Sequence, residues 1–121
     1  MAHLADRFAE AVRTLVSDGP IKQRLNRAFA QYLEDLDDAE FPIGLRREFN
    51  DLHGALNRVE PVGNETRVRA SVQKMSPAEA GVHANAIVRL YIGLLGQIER
   101  AEPLKVVTSP KNPPRYLTNR G

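Results

Sequence analysis

The sequence predicts an all-α fold, a four-helix bundle-like single domain over residues 1–107 that is followed by a flexible, basic, proline-containing C-terminal tail at residues 108–121. Two observations favour this fold. Apolar residues recur at intervals of three and four through most of the chain, which is the period of one buried helical face. Helix stop and start residues, such as Asp18-Gly19-Pro20 and Ser76-Pro77, separate these segments. With 42% hydrophobic and 26% charged residues, a chain of 121 residues can close one core.

The first two predicted helices form a tight hairpin. The first spans about residues 2–17, and its buried face consists of Leu4, Phe8, Val12 and Leu15. Asp18-Gly19-Pro20 ends this helix and begins the next, because glycine tolerates a left-handed turn and proline is preset for a first helical position. The second helix carries a wide apolar stripe made of Ile21, Leu25, Ala28, Phe29, Tyr32, Leu33 and Leu36. Lys22, Arg24 and Arg27 occupy its opposite side.

An acidic run, Glu34-Asp35-Leu36-Asp37-Asp38-Ala39-Glu40, comes after the second helix. Carboxylates oppose the dipole at a helix C-terminus, so we expect this helix to end near Leu36. We expect Asp37 or Asp38 to cap the segment that follows. A calcium site is disfavoured, because the run lacks the glycine and the ligand spacing of a calcium loop. The alternative is that a cation of residues 67–74 lies against the run and neutralises it.

The third predicted helix begins at Pro42 and ends at Glu60-Pro61-Val62-Gly63. Its apolar face consists of Leu45, Phe49, Leu52 and Leu56. Residues 64–75 allow two interpretations. They form either a short helix, capped by Asn64, or a strand that pairs with Leu104–Val107 around the last helix. We favour the helix.

The last helix has the strongest start signal in the chain. Ser76 and Glu79 can cap each other's backbone amides around Pro77. The predicted buried arc is wide and contains His83, Ala84, Ile87, Val88, Leu90, Tyr91, Leu94, Leu95 and Ile98, which places this helix at the centre of the bundle. On the other side Val82, Ala86, Gly93 and Gly96 form a low surface, which favours tight internal packing and, as the alternative, a homodimer seam.

Charge is distributed unevenly along the chain. Residues 1–60 carry 8 basic and 11 acidic side chains, whereas residues 61–121 carry 9 and 4, so the two parts have net charges of −3 and +5. Such asymmetry is typical of a protein that binds its partner through electrostatic attraction. The candidate binding residues are Arg67, Arg69, Lys74, Lys111, Arg115, Tyr116 and Leu117.

Several functional classes lack support. The three histidines are far apart, and we find no nucleophile elbow, phosphate-binding loop or dinucleotide motif, so we expect no enzyme activity, no metal and no cofactor. His83 alone is placed where burial could make an imidazole sensitive to pH. The absence of cysteine and of an apolar leader predicts a cytoplasmic protein, and no apolar window is long enough to span a membrane.

The combined expectation is a small non-enzymatic adaptor or regulatory protein that binds a protein partner through its basic surface and its tail. Proline-containing tails of this kind present short motifs to partners, with Arg115, Tyr116 and Leu117 as the anchors. Nucleic-acid binding is the alternative. In that case Arg67, Arg69 and Lys74 would contact phosphates, and the tail would track the phosphate backbone.

Overall fold

The computed structural model describes the backbone of residues 2–107 and the side chains of residues 3–98. The helices are α1 (Ala2–Leu15), α2 (Ile21–Tyr32), α3 (Ile43–Leu56), α4 (Arg67–Gln73) and α5 (Pro77–Val107), with a 3-10 helix at Asp38–Glu40. No strand occurs within residues 2–107, which confirms the predicted all-α class. The packing is bundle-like: α5 contacts α1, α2 and α3, while α4 contacts α2 and α3.

The connection between α1 and α2 forms the predicted tight hairpin. Gly19 has a φ of 106°, a left-handed conformation that favours glycine over residues with a side chain. Arg24 closes the turn, because its Nη1 donates to the Leu15 carbonyl at 2.6 Å and its Nε donates to the Gly19 carbonyl at 2.7 Å. The side chain thus satisfies one carbonyl at the end of α1 and one in the turn that follows it.

An aromatic cluster joins the first three helices. All four phenylalanines of the chain, Phe8, Phe29, Phe41 and Phe49, are buried. The ring of Phe41 stacks on Phe49 at 4.3 Å and meets Phe8 edge-on at 5.8 Å. His53 extends the cluster, since its ring lies 5.7 Å from Phe29 and 5.6 Å from Phe49. The cluster therefore contains residues of α1, α2 and α3 and of the link between α2 and α3.

Two helix starts are capped as the sequence predicts. Asp37 and Glu40 cap each other at the 3-10 helix, and α2 ends at Tyr32, earlier than expected. At the start of α5, the Glu79 amide donates to Ser76 Oγ and the Ser76 amide donates to Glu79 Oε1, both at 3.0 Å. These reciprocal bonds satisfy backbone donors that a helix N-terminus otherwise leaves free.

Residues 64–75 contain a helix, so the strand alternative is wrong. Leu104–Val107, its predicted pairing partner, continues α5 as helix. The N-cap of α4 is Thr66 rather than Asn64, with Thr66 Oγ1 accepting from the Arg69 amide at 3.1 Å. A helix of seven residues is too short to be stable alone, so its docking on α2 and α3 decides its conformation.

Ser71 fixes α4 to the segment that precedes it. Its side chain is fully buried, and Ser71 Oγ accepts a hydrogen bond from the Val59 amide at 2.9 Å. Val68 and Val72, also buried, flank it on the packed side of the helix. A buried hydroxyl with a backbone partner stabilises this docking, whereas an unpaired one would cost about 1–3 kcal/mol.

On both sides of α5, the burial of some residues differs from the prediction. Ile87, Leu90 and Leu94 of the expected arc are buried, but Leu95 and Ile98 are each 38% exposed. The low surface on the other side packs internally only in part: Ala86 is buried, and a Cβ atom added at Gly93 would lie 2.9 Å from Leu45 Cδ2 of α3. Val82 is 61% exposed, and a Cβ atom added at Gly96 would meet nothing within 4 Å. Among the described residues, none of the helices has the length and apolarity that crossing a bilayer requires.

Leu90→Ala should destabilise the fold by about 2–5 kcal/mol, because Leu90 is fully buried and its truncation leaves a cavity between α5 and the helices that it contacts. Urea unfolding followed by circular dichroism measures this change. The control is Val82→Ala on the same helix, which is 61% exposed and should alter stability by no more than about 0.5 kcal/mol. Equal effects of the two substitutions would contradict the placement of α5.

Candidate functional site

A groove of about 420 Å³ lies between α2 and α4. The residues that line it are polar with one exception: Lys22, Gln23, Asn26, Arg27, Arg69, Val72 and Gln73. Three of these side chains are cations, three are amides, and none is acidic. The groove therefore has the chemistry of a site for an anionic ligand.

The local sequence explains how α2 supplies one wall. Lys22 and Asn26 are four residues apart, as are Gln23 and Arg27, so each pair lies on adjacent turns of the same helix side. The apolar residues of α2 turn toward the core instead, and these are Leu25, Ala28 and Phe29. Amphipathicity thus places the polar side of α2 where α4 can form the opposite wall.

The short helix α4 supplies the second wall. Arg69 and Gln73 are four residues apart on its outer side, while Val68 and Val72 are buried on the packed side. Lys22 joins the two walls, because its Nζ donates to the Gln73 carbonyl at 3.2 Å. This bond satisfies a carbonyl at the end of α4.

Among the described residues, no acidic side chain pairs with the three cations of the groove. Arg27 Nη2 donates to the Ser17 hydroxyl at 3.1 Å, and Lys22 donates to a carbonyl, so both partners are neutral. The four ion pairs in the described part of the chain involve other arginines, namely Arg7, Arg13, Arg67 and Arg89. Positive charge within the groove is therefore not paired with any carboxylate of residues 3–98.

Asn26 adds an unsatisfied polar group to the groove wall. Its Oδ1 atom is buried and has no hydrogen-bond partner among the described residues. Buried acceptors are paired in the great majority of cases, and an unpaired one costs about 1–3 kcal/mol. The wall of the groove thus contains a polar group whose hydrogen-bonding capacity the fold does not use.

The sequence-predicted binding residues are not all brought together. Arg69 lines the groove, whereas Arg67 pairs with Glu60 at 2.7 Å and Lys74 is exposed outside the groove lining. Lys111, Arg115, Tyr116 and Leu117 lie outside the described residues.

Lys22 and Arg27 join Arg69 in the groove, although the sequence analysis assigned them only to the polar side of the second helix. The signal that could have identified them was their spacing on that side. This spacing does not indicate which later segment of the chain packs beside Lys22 and Arg27.

In the described part of the chain, the acidic run of residues 34–40 forms one ion pair, with Arg7 of α1, and none with residues 67–74, contrary to the alternative expectation. Asp35 pairs with Arg7 at 2.6 Å, and Asn50 donates to Asp38 at 2.9 Å. The hydrogen bond from Arg7 lowers the pKa of the Asp35 carboxyl, and the hydrogen bond from Asn50 lowers the pKa of Asp38. The cations of α4 remain separate from these carboxylates.

Two histidines occupy structural positions. His53 Nε2 lies 3.0 Å from the Glu34 carbonyl, which can only accept, so this nitrogen donates. His83 is half-buried on α5, and burial lowers its pKa below the ordinary value of 6.5, with Arg58 acting in the same direction and Glu79 opposing it. Within the described residues no three His, Asp or Glu side chains come together as a metal site requires.

The lowered pKa of His83 predicts a pH-dependent stability. The unfolded chain takes up this proton at a higher pH than the folded chain, so the free energy of unfolding should fall as pH drops below 6.5 and level off below the folded pKa. His83→Gln should flatten that part of the profile in urea unfolding, whereas His3→Gln, at an exposed position, should not. A profile unchanged by His83→Gln would assign the dependence to other groups.

No protein-family model matches this chain, and neither a curated protein nor a solved structure matches it. The ligand chemistry of the groove is therefore inferred from the residues that line it. Its cations, its amides and the apolar Val72 define the ligand chemistry that it can accept.

Proposed function

We propose that this chain is a small non-enzymatic adaptor or regulatory protein of the cytoplasm, and that the groove between α2 and α4 binds an acidic segment of a partner protein. One observation carries the proposal. Lys22, Arg27 and Arg69 line a single groove, and no carboxylate in the described part of the chain pairs with them. An acidic ligand would supply the missing negative charge.

The other groove residues suit a peptide. Gln23 and Gln73 carry exposed amide groups that can both donate to and accept from a peptide backbone. The two arginines offer planar, forked donors that match a carboxylate in a bidentate manner. A volume of about 420 Å³ accommodates a short segment rather than a folded domain.

Two features favour a protein ligand over nucleic acid. A nucleic-acid groove tracks the phosphate backbone with a row of cations and stacks bases on aromatic rings. None of the residues lining this groove is aromatic. Arg67, which could extend the row along α4, is paired with Glu60. The compact cluster of cations and amides is thus better matched to an acidic peptide.

The C-terminal tail is proposed as a second contact on the basis of its sequence. Lys111 and Arg115 would add charge to that of the groove, while Tyr116 and Leu117 would provide apolar anchors. A second contact tethered to the same chain raises affinity through its high effective concentration near the bound ligand.

A short oligoglutamate peptide should bind to the groove. Arg69→Ala should weaken the affinity for this peptide about tenfold, because one hydrogen bond to a charged group contributes about 1.5 kcal/mol. Fluorescence anisotropy with a labelled peptide measures the affinity. The matched control is Arg67→Ala on the same helix, which removes an arginine already paired with Glu60 and should change the affinity little. Deletion of residues 109–121 should weaken binding further if the tail contributes.

Three outcomes would count against the proposal. Equal losses for Arg67→Ala and Arg69→Ala would indicate a diffuse attraction rather than binding in the groove. Absence of peptide binding, together with salt-sensitive binding of a single-stranded oligonucleotide that requires Arg69, would instead assign the groove to nucleic acid. If neither the peptide nor the oligonucleotide binds, the groove does not have the proposed role.

A further inference from the structure

The groove between α2 and α4 offers a surplus of hydrogen-bond donors. The charged ends of Lys22, Arg27 and Arg69 contain donors alone, three on the ammonium group and five on each guanidinium. The fold uses few of them. Lys22 Nζ donates to the Gln73 carbonyl at 3.2 Å, and Arg27 Nη2 donates to the Ser17 hydroxyl at 3.1 Å. Because both acceptors are neutral and no acidic residue is among the described residues that line the groove, the best match is a ligand with more than one negative charge.

The carboxylates of a peptide supply such charge only at separate points. Successive side chains of an extended peptide point to opposite sides and rise about 3.3 Å per residue, so two glutamates that face one groove stand roughly 7 Å apart. A phosphate monoester instead brings a charge of about −1.5 to −2 and three acceptor oxygens to a single point at neutral pH. The forks of Arg27 and Arg69 match phosphate oxygens as well as carboxylates. A single phosphate therefore uses the three cations of one groove more fully than a glutamate does.

The other residues of the lining indicate which molecule carries the phosphate. Bases of a nucleotide need aromatic rings on which to stack, and none of the described residues that line the groove is aromatic. The apolar residue of the lining, Val72, is buried on the packed side of α4, so an acyl chain or the ring of a phosphotyrosine finds little apolar surface. Gln23 and Gln73 carry exposed amides that can bond to a peptide backbone. These features favour a short phosphorylated side chain on a peptide.

We infer that the group selected by the groove is a phosphorylated serine or threonine side chain within the acidic segment of the partner protein. The inference rests on the proposed function, because it names the chemistry that the same groove prefers within such a segment. The phosphate oxygens accept from Lys22, Arg27 and Arg69, as in other sites where arginine clusters read phosphorylated motifs. The partner thus binds mainly in its phosphorylated form, so its modification controls the complex.

Three peptides of one sequence test the inference on the full chain. Each has glutamates on both sides of a central position, which holds serine, glutamate or phosphoserine. Fluorescence anisotropy of the labelled peptides measures the three affinities. The phosphoserine peptide should bind about tenfold more tightly than the peptide with a central glutamate, because its additional oxygen accepts one more charge-assisted hydrogen bond. The peptide with a central serine should bind most weakly.

Arg69→Lys tests whether the guanidinium fork produces this preference. Lysine keeps the charge but lacks the fork, so the preference for phosphoserine over glutamate should fall from about tenfold to about threefold. The matched control is Arg67→Lys on the same helix, since Arg67 pairs with Glu60 at 2.7 Å and should leave the preference unchanged. Circular dichroism verifies that both variants fold. Equal effects of the two substitutions would contradict a role for the groove in selecting phosphate.

The titration of the phosphate gives a second signature. The second pKa of a phosphate monoester is about 6 and that of glutamate is about 4.3, whereas lysine and arginine stay charged between pH 5.5 and 7.5. None of the three histidines of the chain lines the groove. Lowering the pH from 7.5 to 5.5 should therefore weaken the binding of the phosphoserine peptide about threefold and leave that of the glutamate peptide unchanged. A parallel loss for both peptides would contradict recognition of the phosphate dianion.

The peptide affinities separate this inference from the proposed function. Equal affinities for the glutamate and phosphoserine peptides would overturn the inference and leave an acidic-peptide site in place. Binding of none of the three peptides would overturn both. Tighter binding to vesicles that contain phosphorylated inositol headgroups than to the phosphoserine peptide, if it requires Arg69, would assign the groove to a membrane surface and overturn the inference.

Discussion

The aromatic cluster of Phe8, Phe29, Phe41 and Phe49 is the contact on which the arrangement of the first three helices depends. Phe41 lies in the link after α2, and its ring stacks on Phe49 of α3 while meeting Phe8 of α1 edge-on. A single residue of a connecting segment thus fixes two helices relative to each other. Aromatic pairs of this kind contribute about 0.5–1.5 kcal/mol beyond the burial of their area. The remaining helices, α4 and α5, pack around the unit that results.

The docking of α4 connects stability with the candidate site. A helix of seven residues persists only because Val68 and Val72 are buried and Ser71 accepts from the Val59 amide. The same docking brings Arg69 into one groove with Lys22 and Arg27, and no acidic residue is among the described residues that line it. Apolar burial and backbone hydrogen bonds therefore hold together cations that would otherwise repel one another. The groove is a consequence of how α4 is held, and its proposed ligand would relieve the repulsion.

The long helix α5 separates two kinds of surface. Its inner row completes the core against α1, α2 and α3, and its outer row of Val88, Ile92 and Leu95 is left to water by the described part of the chain. The groove lies between α2 and α4, so it and this outer row are on different elements.

The helical class and most helix starts could be predicted from the sequence, because these features depend on neighbours a few residues away. The reciprocal cap of Ser76 and Glu79 and the left-handed Gly19 are of this kind. Residues 64–75 remained ambiguous, since a segment this short fits two periods, and docking on α2 and α3 made it helical. Arg69 could be named as a candidate from local charge alone. Its neighbours Lys22 and Arg27 lie more than 40 positions earlier in the chain. Their place in one groove with Arg69 therefore depends on the packing of α4 beside α2. The sequence could not show this packing, because periodicity identifies the faces of a helix but not the helix that packs beside it.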